Sequence, residues 1–384
     1  MKRLLIVFML ILLCGCALSE TGAKEAEIFM VNAGKADAII VRVDEDYYLI
    51  DTATEEMWVR VRAALLDMNI TRLKGVFTTH TDKDHVGGLM HLANSDIQVD
   101  AWYASEYFID VKEEKHPAVK AAAVRGQKVE FLSAGDTVDG VFRVVGPTRL
   151  MEDKDDNNSL VMILNTESGS AFFAGDMEYN EEALVLSKYG NLKADVLKVG
   201  NHADDDTTSA ALISAVRPKY ALISTSSYEK PETPDPALVE RLEKAGAKVF
   251  CTELADAGIR VTMDKQGINV DYSGWKNAGA VPGNIHITQI DAENDLIVIE
   301  NRSEASLLLE NFCLYSDKGK EMMFFDKTAV LPAGGRLIVG SVSTENTEFD
   351  ILWNDKNVVN DKKADAITLY DPYGRAVATL TANE

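Results

Sequence analysis

The stretch His80-Thr81-Asp82-Lys83-Asp84-His85-Val86-Gly87-Gly88 constrains this chain more than any other. Four side chains able to hold a divalent cation fall within six residues. They directly follow Gly75-Val76-Phe77-Thr78-Thr79, a β-branched and aromatic run that reads as a strand. A loop leaving that strand end can turn His80, Asp82 and Asp84 inward. Residues 86–93 continue with a helical pattern, so His85 is expected to open a helix. Imidazole nitrogens and carboxylates suit zinc and similar divalent ions. A lone histidine would fit an exposed polar loop equally well. Two histidines and two aspartates at this spacing, followed by Gly-Gly, argue against that.

Two later segments bring donors of the same type. Phe172-Phe173-Ala174-Gly175-Asp176 is an apolar strand ending in a carboxylate, and Leu197-Lys198-Val199-Gly200-Asn201-His202 is another ending in a histidine. Three strand ends therefore each deliver a ligand type, and sites in layered α/β folds gather at one end of the strands.

The surrounding pattern agrees. Strands are expected at residues 28–31, 37–43, 47–51, 159–165, 171–174 and 195–199, and helices at 55–69, 181–189, 208–216 and 237–245. Such alternation implies a layered α/β domain. The Gly/Pro-punctuated residues 274–283 read as a linker. Beyond them short strand-like runs recur at 285–290, 296–300, 306–309, 336–339 and 366–370, which suggests a small β-sandwich of about 100 residues. A length of 384 residues accommodates both units.

The first residues read as a targeting segment. Met1-Lys2-Arg3 is a basic start, and Leu4 to Leu13 is an apolar run too short to span a bilayer as a mature helix. Leu13-Cys14-Gly15-Cys16 resembles a bacterial lipobox, with cleavage before Cys16 and lipid on that residue; an ordinary cleaved signal is the alternative. The expected organisation is a leader at 1–15, a tether at 16–26, the α/β domain at 27–273, the linker at 274–283 and the β-sandwich at 284–384. Loss of the leader leaves 37 basic against 61 acidic residues, a net charge of −24. That charge argues against general nucleic-acid binding, which needs Lys and Arg to neutralise phosphates. Cys251 and Cys313 fall in different expected domains, so no disulfide framework is expected.

With these motifs in view, residues 26–270 resemble the metallo-β-lactamase superfamily, specifically the branch containing the extracellular domain of the competence protein ComEC and the phosphorylcholine esterases of Gram-positive surfaces. The carrying residues are His80-x-Asp82-x-Asp84-His85, Gly34-Lys35-Ala36-Asp37-Ala38, Asn157-Asn158-Ser159 and Gly175-Asp176-Met177-Glu178. The resemblance implies an αββα sandwich and two divalent metal ions, zinc first with manganese or iron as alternatives. One ion would be held by His80, Asp82 and bridging Asp176, the other by Asp84, His85, Asp176 and His202. Many members place a further histidine on the first ion, but none lies between His116 and His202, which implies a weaker, more open first site. Residues 284–380 resemble a lamin-tail domain, an immunoglobulin-like sandwich, through Ile297-Val298-Ile299-Glu300-Asn301, Leu331-Pro332-Ala333-Gly334-Gly335 and residues 365–371.

Two metals can activate a water and hold a phosphoryl oxygen without a Ser or Cys nucleophile. The expected function is therefore an extracytoplasmic, lipid-anchored phosphoesterase acting on a small phosphoester or a cell-envelope polymer. A ComEC-like nuclease and a non-catalytic surface binding protein with a degenerate metal site are the alternatives. Besides Asp84 and Asp176, three residues are candidates near the reaction. Asn201 replaces a histidine common in relatives and can donate to an oxyanion. Lys230 can contact an anionic group. Glu178 can orient substrate, or cap the following helix. Asp37 can support the ligand loop or merely end a turn. Trp58, Trp102, Tyr103 and Tyr107 suit core packing or a surface for a cationic head group.

Overall fold

The computed structural model describes residues 24–341, 348–353 and 357–383. The leader and lipobox expectations, with Cys14 and Cys16, lie outside the described residues.

Alternation along each strand builds the α/β domain from the inside out. In the strand Ala26–Val31, Ile28 and Met30 point to one buried cluster while Phe29 and Val31 point to another. A strand apolar on both faces needs a covering layer on each side. One sheet has the order Gly267–Ser273, Gly258–Asp264, Ala26–Val31, Ile39–Val43, Asp46–Ile50, Gly75–Thr78, Trp102–Ser105, Val129–Leu132. The other runs Lys248–Cys251, Tyr220–Ile223, Val196–Lys198, Ser170–Phe173, Val161–Asn165, Phe142–Gly146, Thr137–Val138.

The two sheets face each other across one core, to which Phe77, Phe142, Met162 and Phe173 contribute. The helices Trp58–Asp67, Leu89–Ala93 and Pro117–Val124 cover the outer face of the first sheet. Tyr179–Lys188, Ala210–Val216 and Pro236–Lys244 cover the second. The result is the expected αββα sandwich.

Each sheet contains a parallel block. Asp46–Ile50, Gly75–Thr78 and Trp102–Ser105 run together, as do Ser170–Phe173, Val196–Lys198 and Tyr220–Ile223. Asp51, His80, Asp176, His202 and Ser224 all follow carboxyl ends of these strands, so the topology gathers them at one edge.

Two local expectations change. His85 does not open a helix; it sits inside the short helix Lys83–Val86, and Gly87-Gly88 separate this from Leu89–Ala93. A Cβ at either glycine would meet the backbone of residues 52–55 at 2.1 to 2.6 Å, so only glycine admits that close approach. Asp37 lies outside the strand Ile39–Val43 and faces the site.

The described residues beyond 284 hold strands and no helix. Ile285–Asp291, Leu296–Asn301, Arg336–Gly340 and Ile351–Leu352 form one four-stranded sheet; Met322–Phe324, Cys313–Ser316, Asp365–Tyr370 and Ala376–Ala382 form another. Ile287, Ile299 and Val339 meet Leu314, Ile367 and Leu369 in one core. Cys251 and Cys313 are unpaired thiols.

The connection between the domains is docked rather than loose. Trp275 is buried among the helices of the first domain, with the Arg60 guanidinium 5.4 Å from its ring centre. Asp67 accepts hydrogen bonds from the amides of Lys276 and Asn277, each at 3.1 Å. Arg62 donates to Asn311 Oδ1 at 2.9 Å and stacks over Phe324 at 4.3 Å. Among the described residues no helix is long and apolar enough to cross a membrane.

Candidate metal centre

Three histidines are oriented before any ion arrives. His85 Nδ1 is 2.8 Å from Asp51 Oδ2. Asp51 is itself fixed, accepting from the Thr79 amide at 2.8 Å and the Thr79 hydroxyl at 2.7 Å. His202 Nδ1 lies 3.0 Å from the Ser224 carbonyl. His80 Nδ1 lies 3.1 Å from Thr79 Oγ1 and 3.3 Å from Ser159 Oγ. The Asp51 carboxylate and the Ser224 carbonyl can only accept, so they place the ring proton on Nδ1 of His85 and His202 and leave Nε2 with a lone pair. The Thr79 hydroxyl, spent on Asp51, does the same for His80.

All three Nε2 atoms are buried and make no hydrogen bond. They face carboxylates instead. His85 Nε2 and His202 Nε2 lie 3.2 and 3.3 Å from Asp176 Oδ2. His202 Nε2 is also 3.4 Å from Asp84 Oδ2. His80 Nε2 is 3.6 Å from Asp156 Oδ1 and 4.0 Å from Asp82 Oδ2. Buried Nε2 atoms that face carboxylates and lack a hydrogen-bond partner become a donor set for cations once deprotonated, and the residues fit divalent metal ions. Ligand atoms of His80, Asp82 and Asp156 gather at one position and those of Asp84, His85 and His202 at another, while Asp176 groups with His80 and His85 between them.

The backbone bends to make this possible. Asp51, Asn201, His202 and Ala203 have φ of 57°, 36°, 51° and 65°, left-handed values that cost non-glycine residues energy and concentrate at functional sites. Gly175 has φ of 56°, and a Cβ there would lie 2.7 Å from Ser159 Cβ. That turn swings Asp176 into the site, where Ser159 Oγ accepts its amide at 2.9 Å.

Electrostatics in the metal-free protein follow from the crowding. Burial favours a neutral His85 ring, but Asp176 and Asp51 outweigh it and raise its pKa well above the usual value. Asp176 does the same for His202 against burial. Burial works against the Asp176 carboxylate, but His85, His202 and Lys198 hold it well below the ordinary range. Burial, then Asp176, Asp82 and Glu178, push the Asp156 carboxyl up to about 7. The raised His85 and His202 pKa values favour a second ring proton on each, which a metal ion must displace, whereas burial and His85 lower that of His80.

The structure brings His80, Asp82, Asp84, His85, Asp176 and His202 into one cluster. It places the other candidates differently. Glu178 stands at the N-cap position of Tyr179–Lys188, yet its side chain makes no capping hydrogen bond. Its carboxylate is instead taken by Lys154, and by Asn157 Nδ2 at 3.1 Å. Asn201 is half-buried in the turn carrying His202, and Lys230 pairs with Asp204. Trp58 and Trp102 are core residues, and Tyr103 stacks on Phe77.

Sequence reasoning missed three residues. Asp51 reads only as the end of a strand. Lys198 is fully buried, contacts Asp37, and donates to the Gly175 carbonyl at 2.9 Å. Burial opposes its charge, but Asp37 and Asp176 hold its pKa above the usual lysine value. A lysine inside an apolar strand was the available signal. Asp156 lies beside His80, with its Oδ1 3.6 Å from Nε2. Its signal was the acidic pair before Asn157-Asn158-Ser159.

The sequence profile described as Metallo-beta-lactamase superfamily matches residues 31–227, more than half of the chain. The chain belongs to the metallo-β-lactamase superfamily. Family and donor set agree on a metal-dependent hydrolase. The Lamin Tail Domain profile matches residues 278–384. ComE operon protein 3 of Bacillus subtilis is 27% identical over 256 residues, covering 60% of this chain and 32% of that protein. Competence protein ComA of Neisseria gonorrhoeae is 27% identical over 236 residues, covering 61% of this chain and 32% of that protein. The chain thus spans about a third of the length of these curated relatives. Among solved structures, Igni18, a metallo hydrolase from Ignicoccus hospitalis, superposes with a TM-score of 0.41 at 15% identity, covering 62% of this chain and 99% of that one.

Proposed function

We propose that this superfamily member hydrolyses phosphoesters outside the cytoplasm, held at a membrane surface through lipid on Cys16. The observation that carries the reading is the pairing of lysines with acidic groups at and beside the donor cluster. Lys35 Nζ lies 3.4 Å from Asp84 Oδ2, and Lys230 is held by Asp204, two residues after His202. Ammonium groups beside a carboxylate-rich centre suit a substrate that carries negative charge to the ions.

Bound divalent ions, zinc in the nitrogen-richer position, would supply an activated water and polarise a phosphoryl oxygen. The chain's own residues do the rest. Asp84 Oδ2 sits between His202 Nε2 and Lys35 Nζ, each at 3.4 Å; against burial, His202 and His85 hold its carboxyl well below the ordinary range, so it would orient the attacking water as an ionised acceptor. Asn201 donates to the developing oxyanion, while Lys35 and Lys230 orient the anionic group. Glu178, tied to Lys154 and Asn157, positions the loop rather than the proton.

A nuclease is the second reading, favoured by the similarity to competence proteins over 60% of the chain. The net charge of −22 and the run Asp204-Asp205-Asp206 after His202 favour a small phosphodiester or an envelope polymer over DNA. The test compares hydrolysis of bis-p-nitrophenyl phosphate, phosphorylcholine esters and single-stranded DNA with Zn²⁺ or Mn²⁺. Absence of turnover on every phosphodiester, with both metal positions filled, overturns the reading. Loss of membrane association in Cys16→Ser tests the anchor.

A further inference from the structure

We propose that Asp156 is a ligand of the first metal position, and that the resulting set His80, Asp82, Asp156 and Asp176 makes this position selective for an oxygen-preferring ion such as Mn²⁺. The inference deepens the hydrolase reading and rests on its two-metal site.

The first observation is an unsatisfied atom. His80 is 1% exposed, its Nδ1 is engaged by Thr79 and Ser159, and its Nε2 has no hydrogen-bond partner. Asp156 Oδ1 lies 3.6 Å from that Nε2, nearer than Asp82 Oδ2 at 4.0 Å. Ligand atoms of His80, Asp82 and Asp156 all fall within 4.8 Å of one another, a spacing that one ion can bridge.

The second observation is how Asp156 is presented. It lies in the short 3₁₀ turn Asp155–Asn158, whose other three residues spend their side chains on the scaffold. Asp155 accepts from the Thr81 amide at 3.0 Å, the Thr81 hydroxyl at 2.6 Å and the Ile109 amide at 3.0 Å. This ties the turn to the metal-ligand loop itself. Asn157 Oδ1 accepts from the Glu178 amide at 3.1 Å. Asn158 exchanges hydrogen bonds with the amide and carbonyl of Met151, both at 2.9 Å. A turn pinned on both sides holds the Asp156 carboxylate against His80 without using it. Supports of this kind orient metal ligands.

The chemistry then separates the two positions. The first offers one imidazole and three carboxylates, the second two imidazoles and two carboxylates. Carboxylate-rich sets suit manganese and magnesium, and imidazole suits zinc, so the exchange of a histidine for Asp156 moves the first position toward the harder ion.

Metal binding to the full folded chain, stripped by chelation, tests this without reference to turnover. Mn²⁺ is titrated in the presence of one equivalent of Zn²⁺, and bound manganese is read by loss of the free-ion electron paramagnetic resonance signal. The native protein should hold one Zn²⁺ and one Mn²⁺. Asp156→Ala should weaken the manganese position by at least about tenfold, since even outer partners of a metal are worth that much. Asp156→His should bind two Zn²⁺ and lose the preference for Mn²⁺, which separates a ligand effect from unfolding. Native-like manganese affinity in both variants overturns the Asp156 assignment alone. A native protein that binds neither ion overturns the hydrolase reading as well.

Discussion

Lys198 Nζ lies 3.4 Å from Asp176 Oδ1, with the two side chains only 1% and 4% exposed. A buried ammonium therefore shares the carboxylate that faces His85 and His202. It also contacts Asp37, and through the Gly175 carbonyl it grips the turn that presents Asp176. Positive charge thus reaches Asp176 through Oδ1, while His85 and His202 face Oδ2.

Replacing Lys198 by Met should expose this arrangement. Breaking a buried charge pair costs about 3–5 kcal/mol, because the partner is left uncompensated. The metal-free variant should melt well below the native protein. Divalent ions should restore part of the loss by supplying the missing positive charge. The rise in melting temperature on adding Zn²⁺ or Mn²⁺ is therefore expected to be larger in Lys198→Met than in the native chain. Equal rises would show that Lys198 does not couple to the ions.

Asp176→Asn should keep its shape, because the strand Ser170–Phe173 remains packed in two buried clusters. The amide cannot hold two cations close together. At least one ion and nearly all turnover should be lost, with the circular dichroism spectrum retained. Asp82→Ala should weaken mainly the first position. Two metals per chain and native hydrolysis in Asp176→Asn would defeat the bridging role.

Lys230 and Asp204 form a half-buried pair. Asp204→Ala should leave metal content unchanged and free the ammonium for substrate. Its KM for an anionic phosphodiester should fall, while Lys230→Ala should raise KM by roughly 2–5-fold, as expected for losing one partly exposed charge contact. Both effects should shrink with added salt. A KM in Lys230→Ala that matches the native value would remove this residue from substrate binding.

Glu181 supplies a pH prediction away from the metals. It is fully buried, and burial pushes its carboxyl up to about 7 against the Thr148 hydrogen bonds and the charges of Arg149 and Lys188. A carboxyl whose folded pKa exceeds its unfolded one near 4.5 favours the fold while protonated. Stability should fall as pH rises from 4.5 through 7 and level off above. Glu181→Gln keeps an acceptor for the Thr148 amide and removes the charge. It should match the native protein at pH 4 and exceed it at pH 8 by on the order of 3 kcal/mol. Thermal melts at the two pH values decide this.

Much of the fold was legible because it depends on short-range periodicity. Strand runs such as Phe172-Phe173-Ala174 and the helix Trp58–Asp67 announce themselves through apolar spacing, and the turn from α/β alternation to short strands after residue 283 marks the second domain. His80, Asp82, Asp84 and His85 were legible as donors because they lie together after a strand. Asp176 and His202 could be added because each ends a strand of its own. The failures were also local in kind. Glu178 matched a helix-start pattern, but its carboxylate found Lys154 and Asn157 in space.

The sequence by itself determined the donor types, their strand-end positions and the two-domain plan, since each follows from residue chemistry and near-neighbour spacing. Only the tertiary structure decided which atoms meet. Asp156 reaches His80 because Asp155 is bonded to the Thr81 loop, and Asp51 fixes His85 because two parallel strands end side by side. Lys198 keeps its charge in the core only because Asp37 and Asp176 converge on it from distant parts of the chain. Burial and opposite charge act through distance in space, so no pattern along the chain specifies these pairs.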